Sequence, residues 1–214
     1  MEKPVIIIGG GGHAKVVFQT LNLLGRKVLG YTDPNSPSNY LKEFEHMGDD
    51  SEIDRFHPHD ICLVNGIGFS SNMNRRKKIY KYFKQKGYYF PPVIHPHAIV
   101  ATDVKIEEGA QVMAGAIIQP NVTLECNTIV NTKASIDHDT FIGPHSFIAP
   151  GVTICGNVYI GSESLIGAGS TIIQGVKINN NCMVGAGSVV VRDVVSNEIV
   201  LGVPAKTKNS IRGD

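Results

Sequence analysis

The residues best spaced for chemistry lie in two places. Near the N-terminus, Gly9, Gly11 and Ala14 fit the pattern G-x-G-x-x-A, in which glycines let backbone N–H groups approach a phosphate at a helix start. Asp33 follows at the distance where the acid ending a second strand takes ribose or sugar hydroxyls. A glycine turn that opens a helix and binds nothing is the competing reading of the same residues. Far along the chain, His138 is followed directly by Asp139. An imidazole exchanges protons near neutral pH, and an adjoining carboxylate can fix its tautomer. On residue type alone, His138 reads equally well as an exposed corner histidine.

Other chemistries are poorly served. Cys62, Cys126, Cys155 and Cys182 form no C-x-x-C pair, so they read as reduced, small apolar residues rather than a zinc site or a disulfide framework. Beyond residue 100 the only histidines are His138 and His145, too few for a three-histidine zinc centre. No metal is expected. A formal charge of +1 from 20 basic and 19 acidic residues excludes the polycationic surface of a nonspecific nucleic-acid binder. After Met1-Glu2-Lys3-Pro4 only four aliphatics precede the glycines, too few for a signal core or a membrane span. A cytoplasmic protein with no nucleic-acid or membrane partner is the expectation.

The elements that must position these residues are legible. Residues 4–33 read as a βαβ unit: strand Val5-Ile6-Ile7-Ile8, a turn over residues 9–12, a helix over 13–24, and a second strand beginning Val28-Leu29-Gly30-Tyr31. Ile61-Cys62-Leu63-Val64 reads as a further strand, with Asn65-Gly66-Ile67-Gly68 turning at its carboxyl end, where ligands of open α/β sheets bind. Residues 75–86 form a basic amphipathic helix, read as a solvated face. The chain has no room for the second mononucleotide half of an NAD site before its pattern changes, so a single nucleotide or nucleotide-sugar is the better ligand.

That change is a repeat of six. Stepping from Val100 to Val190, every sixth residue is Val, Ile or Leu, and two residues before each sits a small or β-branched residue, from Ala98 to Ser188. A helix would show a period of 3.6 and a hairpin meander a period of two, so a solenoid of short strands and corners is the remaining solution. Three hexapeptides close one triangular coil, giving about five coils stacked roughly 4.8 Å apart. Gly143, Gly161, Gly167 and Gly185, each just after an inward aliphatic, are read as positions needing permissive dihedrals. The pattern is read as ending at Val190, with Gly202-Val203-Pro204-Ala205-Lys206 and a polar tail capping the solenoid.

Several motifs together resemble one family. They are Ile8-Gly9-Gly10-Gly11-Gly12-His13-Ala14-Lys15, Gly30-Tyr31-Thr32-Asp33, Ile94-His95-Pro96-His97-Ala98, Asn131-Thr132 with Ile136-Asp137-His138-Asp139, Gly156-Asn157-Val158-Tyr159-Ile160-Gly161, and Gly202-Val203-Pro204-Ala205-Lys206. The sequence resembles the NeuD/PglD-like hexapeptide-repeat acetyltransferases, which comprise sialic acid O-acetyltransferases and UDP-4-amino-sugar N-acetyltransferases. The resemblance implies an α/β Rossmann-like domain over residues 1–93 and a left-handed parallel β-helix over 94–214. It also implies acetyl-CoA as donor and a homotrimer.

By the same resemblance, His138 is a general base oriented by Asp139, and the Gly156 N–H faces the thioester carbonyl. Gly11, Gly12, His13 and Asp33 hold a nucleotide-sugar, with Asn131 a further substrate contact. Gly167-Ala168-Gly169 and Gly185-Ala186-Gly187 hold the pantetheine, with Lys206 near the nucleotide end of coenzyme A. N-acetylation of a nucleotide-linked 4-amino sugar is the preferred expectation, and O-acetylation of a sialic acid is the alternative. Asp33-Pro34 replaces an acidic pair of several relatives, and Phe147 stands where some carry a histidine.

Overall fold

Four consecutive aliphatics at Val5–Ile8 form a strand, β1, that is fully buried on both faces, as expected of a central parallel strand. The computed structural model describes residues 2–35, 41–68 and 74–210. The chain divides into two compact units, Met1–Pro96 and His97–Asp214.

In the first unit β1 is flanked in parallel by β2 (Val28–Thr32) and β3 (Cys62–Asn65), in the order β2-β1-β3. Helix α1 (Gly12–Leu23) connects β1 to β2 and buries Ala14, Val17 and Leu21 against Val5, Ile7 and Val64. Helix α2 (Asn74–Gln85) buries Tyr80 and Phe83. Because β2 and β3 lie on opposite sides of β1, the chain reverses its winding between β1 and β3, the kind of switch point at whose carboxyl ends ligands of open α/β sheets bind.

One residue of α2 departs from the solvated face expected of that helix. Arg76 is buried, and its guanidinium donates to the carbonyls of Asn65 at 2.9 Å and Ile67 at 2.8 Å. Burial pushes its pKa down to about 9. Two carbonyls leaving the end of β3 need donors, and only a long side chain reaches them from the helix.

The second unit is a left-handed parallel β-helix. Each hexapeptide supplies a two-residue strand, and register partners such as Ile129 and Phe147 or Ser135 and Thr153 are one coil apart. The inward aliphatics from Val112 to Val190 are all nearly or wholly inaccessible, and so is the small-residue register from Ala110 to Ser188. One face carries six parallel strands, so the solenoid has about six coils rather than the five expected. All six strands of that face lie between Ile99 and Val190, and on the other two faces the stack continues past Val190. Val194 pairs with Ile178 and Val200 with Val184. Two residues are missing from the corner after Val190, which shifts the six-residue register without ending the stack. Strand Glu198–Gly202 then pairs antiparallel with Ala205–Ser210 to close that end. The last four residues of the polar tail lie outside the described residues.

The four glycines after inward aliphatics serve a different purpose from the one expected. None has positive φ. A Cβ on Gly143 would lie 2.7 Å from Ser162 N, and one on Gly167 would lie 2.5 Å from Val184 O, so these glycines let successive coils approach. The left-handed residues fall two positions later, at every sixth residue from Gly109 to Gly187. Where these are not glycine they are mostly Asn or Asp, whose short polar side chains tolerate that conformation.

Candidate active site

Stacking by eighteen residues places His138 and Asp139 on the corner between the six-stranded and five-stranded faces. Asp139 is one of the left-handed corner residues, with φ 59°. Both side chains are about half exposed, and His138 Nδ1 lies 2.7 Å from Asp139 Oδ2. The other carboxylate oxygen, Oδ1, accepts from Asn121 Nδ2 at 2.7 Å, one coil below. Asp137 faces back onto the same segment, accepting from the His138 N–H at 2.8 Å.

These bonds set the charges. The hydrogen bond to Asp139 raises the His138 pKa; desolvation opposes it, and the negative charges of Asp137 and Asp139 add to the rise. The Asn121 hydrogen bond, followed by that of His138, holds the Asp139 carboxyl below its ordinary range. With Asp139 accepting at Nδ1, the neutral imidazole carries its proton there and leaves Nε2 as an acceptor.

Gly156 lies one coil above. A Cβ on it would be 2.7 Å from both Cε1 and Nε2 of His138, so the absence of a side chain is what admits the ring. Cys155 precedes it, partly exposed, a spatial neighbour of His138 that is distant in sequence.

Asn131 is not brought to this corner. It follows Val130, on the stack that contains Ala149, Gly167 and Gly185, and its Oδ1 accepts from the Thr132 N–H at 2.8 Å. Gly167-Ala168-Gly169 and Gly185-Ala186-Gly187 occupy that second corner. Ala168, Gly169, Ala186 and Gly187 are exposed, and a Cβ on Gly151, Gly169 or Gly187 would meet nothing within 4 Å. The result is a strip of bare backbone suited to an extended, amide-rich arm. Lys206 is exposed and pairs with Leu201, whose Cβ lies over Gly185, so the terminal hairpin carries Lys206 to the end of this strip.

In the first unit, Gly9 adopts φ 101° and its N–H donates to Thr32 O. The Gly10 N–H donates to Asp33 Oδ2 at 2.8 Å, while Asp33 Oδ1 accepts from the backbone and side chain of Asn35. Burial alone would raise the Asp33 pKa, but the bonds from Asn35 and Gly10, with Arg75 nearby, hold it below the ordinary value. Asp33 therefore braces the glycine turn through Oδ2 and its own loop after β2 through Oδ1. Gly11 and Gly12 are exposed at the start of α1 and open to 4 Å. The loops after β1 and β3 pack closely, since a Cβ on Gly68 would lie 2.8 Å from the Cβ of His13 and one on Gly66 would lie 2.8 Å from that of Ala14.

Among the described residues no three His, Cys, Asp or Glu side chains are grouped to hold a metal ion, and no helix is long and apolar enough to cross a membrane.

The front unit matches the PglD N-terminal domain over residues 4–83, and the solenoid matches the bacterial transferase hexapeptide over residues 139–174 and 157–192. The acetyltransferase domain of PglB from Neisseria gonorrhoeae FA1090 is 31% identical, with 97% of this chain and 100% of that one covered at a TM-score of 0.91. The chain belongs to the PglD/NeuD-like hexapeptide-repeat acetyltransferases. Another member of known structure is PerB from Caulobacter crescentus, solved with CoA and GDP-perosamine. It is 34% identical, with 98% of this chain and 99% of that one covered at a TM-score of 0.90. WeeI from Acinetobacter baumannii AYE, at 20% identity and a TM-score of 0.86, shares the fold.

Two features of the acetyltransferase site escaped the reading of sequence alone. Asn121 lies eighteen residues before Asp139, so applying the coil length to the corner residues would have placed it there. Asn35, on the loop after β2, and Arg75, on α2, carried no comparable signal, because neither belongs to a repeat.

Proposed function

We propose that this protein transfers the acetyl group of acetyl-CoA to the amino group of a nucleotide-linked 4-amino sugar, with His138 as general base. The observation that carries the mechanism is the His138–Asp139 pair, whose ring lies against Gly156. Acetyl-CoA supplies an acetyl group activated as a thioester. His138 Nε2 accepts a proton from the attacking amine and returns it to the departing sulfur. Asp139 keeps the proton of the neutral ring on Nδ1 and stabilises the imidazolium that forms. The Gly156 N–H is available to the carbonyl oxygen on which negative charge develops.

The bare strip at Gly167-Ala168-Gly169 and Gly185-Ala186-Gly187 suits the pantetheine arm, with Lys206 toward the nucleotide end. Residues 1–93 hold the nucleotide-sugar through Gly11, Gly12, His13 and Asp33, and Asn131 contacts the acceptor. Because the His138 corner and the strip are different corners of one solenoid, a complete site is read as forming between subunits of a homotrimer. The complex of PerB with GDP-perosamine favours an amino sugar over a sialic acid as acceptor. A cytoplasmic location fits donor and acceptor alike.

The test is thiol release from acetyl-CoA by wild type and His138→Ala, across UDP- and GDP-linked 4-amino sugars and free or CMP-linked sialic acids. Turnover with one amino sugar that collapses in the variant supports the reading. Turnover with sialic acids alone overturns the acceptor, and an unimpaired variant overturns the base.

A further inference from the structure

We infer that Asn121 is a positioning residue for the acetyl transfer, acting on His138 through Asp139. The inference rests on His138 being the base. Asp139 stands on an exposed corner in a left-handed backbone conformation, with its carboxylate about half exposed. A short carboxylate there, held by a single bond to a mobile imidazole, would rotate into solvent. Asn121 removes that freedom by donating from Nδ2 to Oδ1 at 2.7 Å, which leaves Oδ2 aimed at His138 Nδ1, also at 2.7 Å. The backbone around the triad is itself laced between coils: Asp139 N–H donates to Pro120 O, Asn157 N–H donates to His138 O, and Asn121 N–H donates to Asp103 Oδ2.

An amide suits this task better than the alternatives. An aspartate at 121 would oppose the Asp139 carboxylate and drive one of the pair to protonate. An amide donor instead favours the ionised form without adding charge. The charged groups facing this cluster are Asp137, Asp139 and, behind Asn121, Asp103. Asn121 is also a left-handed corner residue, φ 60°, like Asn157 and Asn181, so the bland reading is that asparagine stands there only to satisfy the backbone. The two readings separate experimentally.

Asn121→Gly keeps the backbone conformation and deletes the amide. Asn181→Gly is the matched control, because it removes an equally local corner bond, Asn181 Nδ2 to Asn197 Oδ1 at 2.8 Å, on a different corner. The measurements are kcat/KM against pH and titration of the His138 ring by NMR in the wild type, Asn121→Gly, Asn121→Asp and Asn181→Gly proteins, with kcat/KM alone for His138→Ala. The expected result for Asn121→Gly is a downward move of the acid-limb midpoint and of the ring titration, with kcat lower by about tenfold. That loss is smaller than the roughly 10²- to 10⁴-fold loss for removing a general base. Asn121→Asp should also lose activity although it keeps the shape of the residue, and Asn181→Gly should move neither curve. If His138→Ala is inactive while Asn121→Gly leaves both midpoints and kcat at wild-type values, Asn121 is a corner residue only and the inference is wrong. If His138→Ala is fully active, the base assignment has failed first.

Discussion

The ring of His138 lies against the bare Cα of Gly156, one coil above, so closely that a Cβ there would be 2.7 Å from both Cε1 and Nε2. The atom that would clash is the far end of a half-exposed side chain, free to swing away. Gly156→Ala should therefore displace the imidazole rather than unfold the coil. The expected result is a fall in kcat of about 10²-fold, the scale of a misplacement near 1 Å, with a melting temperature close to wild type. Thermal melts and single-substrate kinetics on the same preparation check both halves.

The raised pKa of His138, whose largest cause is the Asp139 hydrogen bond, predicts a pH profile. A base must be neutral to act, so kcat/KM should fall as pH drops through a value above the ordinary imidazole value of about 6.5. Asp139→Asn should move that limb downward and lower the plateau. The linkage to stability has opposite signs for the partners. The raised His138 pKa favours the fold at low pH, an effect lost as pH rises through the folded value. The lowered Asp139 pKa favours the fold above the ordinary carboxylate value, an effect lost as pH falls through its own folded value. Both groups are half exposed, so melting curves against pH should change little while activity changes greatly.

Asp33 accepts from Gly10 N–H and from Asn35, so Asp33→Ala should loosen the glycine turn. Losing a part-buried acceptor costs about 1–3 kcal/mol, and the KM for a nucleotide-sugar should rise while kcat changes less. Because the folded Asp33 pKa is lowered, its contribution is present above the ordinary carboxylate value and is lost as pH falls through the folded one. Chemical denaturation at pH 7 and at acid pH, for wild type and variant, reads this directly.

Arg76 is buried with its guanidinium on the carbonyls of Asn65 and Ile67. Arg76→Leu keeps bulk but strands both acceptors, and a loss of about 2–4 kcal/mol is expected. Urea unfolding monitored by circular dichroism provides the check, and a variant as stable as wild type would contradict this role.

The glycines of the solenoid fall into two kinds that mutation should separate. A Cβ on Gly167 would meet the backbone of the next coil at 2.5 Å, so Gly167→Ala should cost at least about 1–3 kcal/mol through forced separation of coils. Gly187 has φ 67° and open space, so Gly187→Ala should cost only about 1–2 kcal/mol of backbone strain. Denaturation midpoints rank them, and acetyl-CoA KM measured on Gly187→Ala tests whether the bare strip receives the donor.

Much of the architecture was written in local pattern. The aliphatic at every sixth residue is a direct consequence of one inward side chain per strand, so the solenoid and its axis follow from the residues themselves. Val5-Ile6-Ile7-Ile8 and the glycines after it likewise announce a buried strand and a helix entry, because a strand covered on both faces must be continuously apolar. The adjacency of His138 and Asp139 needed no fold at all. Other relationships were hidden because they depend on which residues stack. Asn121 beneath Asp139, Gly156 above His138, and Asn131 on another corner from His138 all follow from the eighteen-residue coil. The resumption of the stack at Val194 and Val200 was masked by a two-residue deletion that breaks the period but not the packing. Arg76 looked like one more cation on a basic helix until β3 placed two carbonyls within its reach. Periodic burial is a property of sequence order, whereas charge, orientation and room for a ring depend on neighbours that only the closed coils bring together.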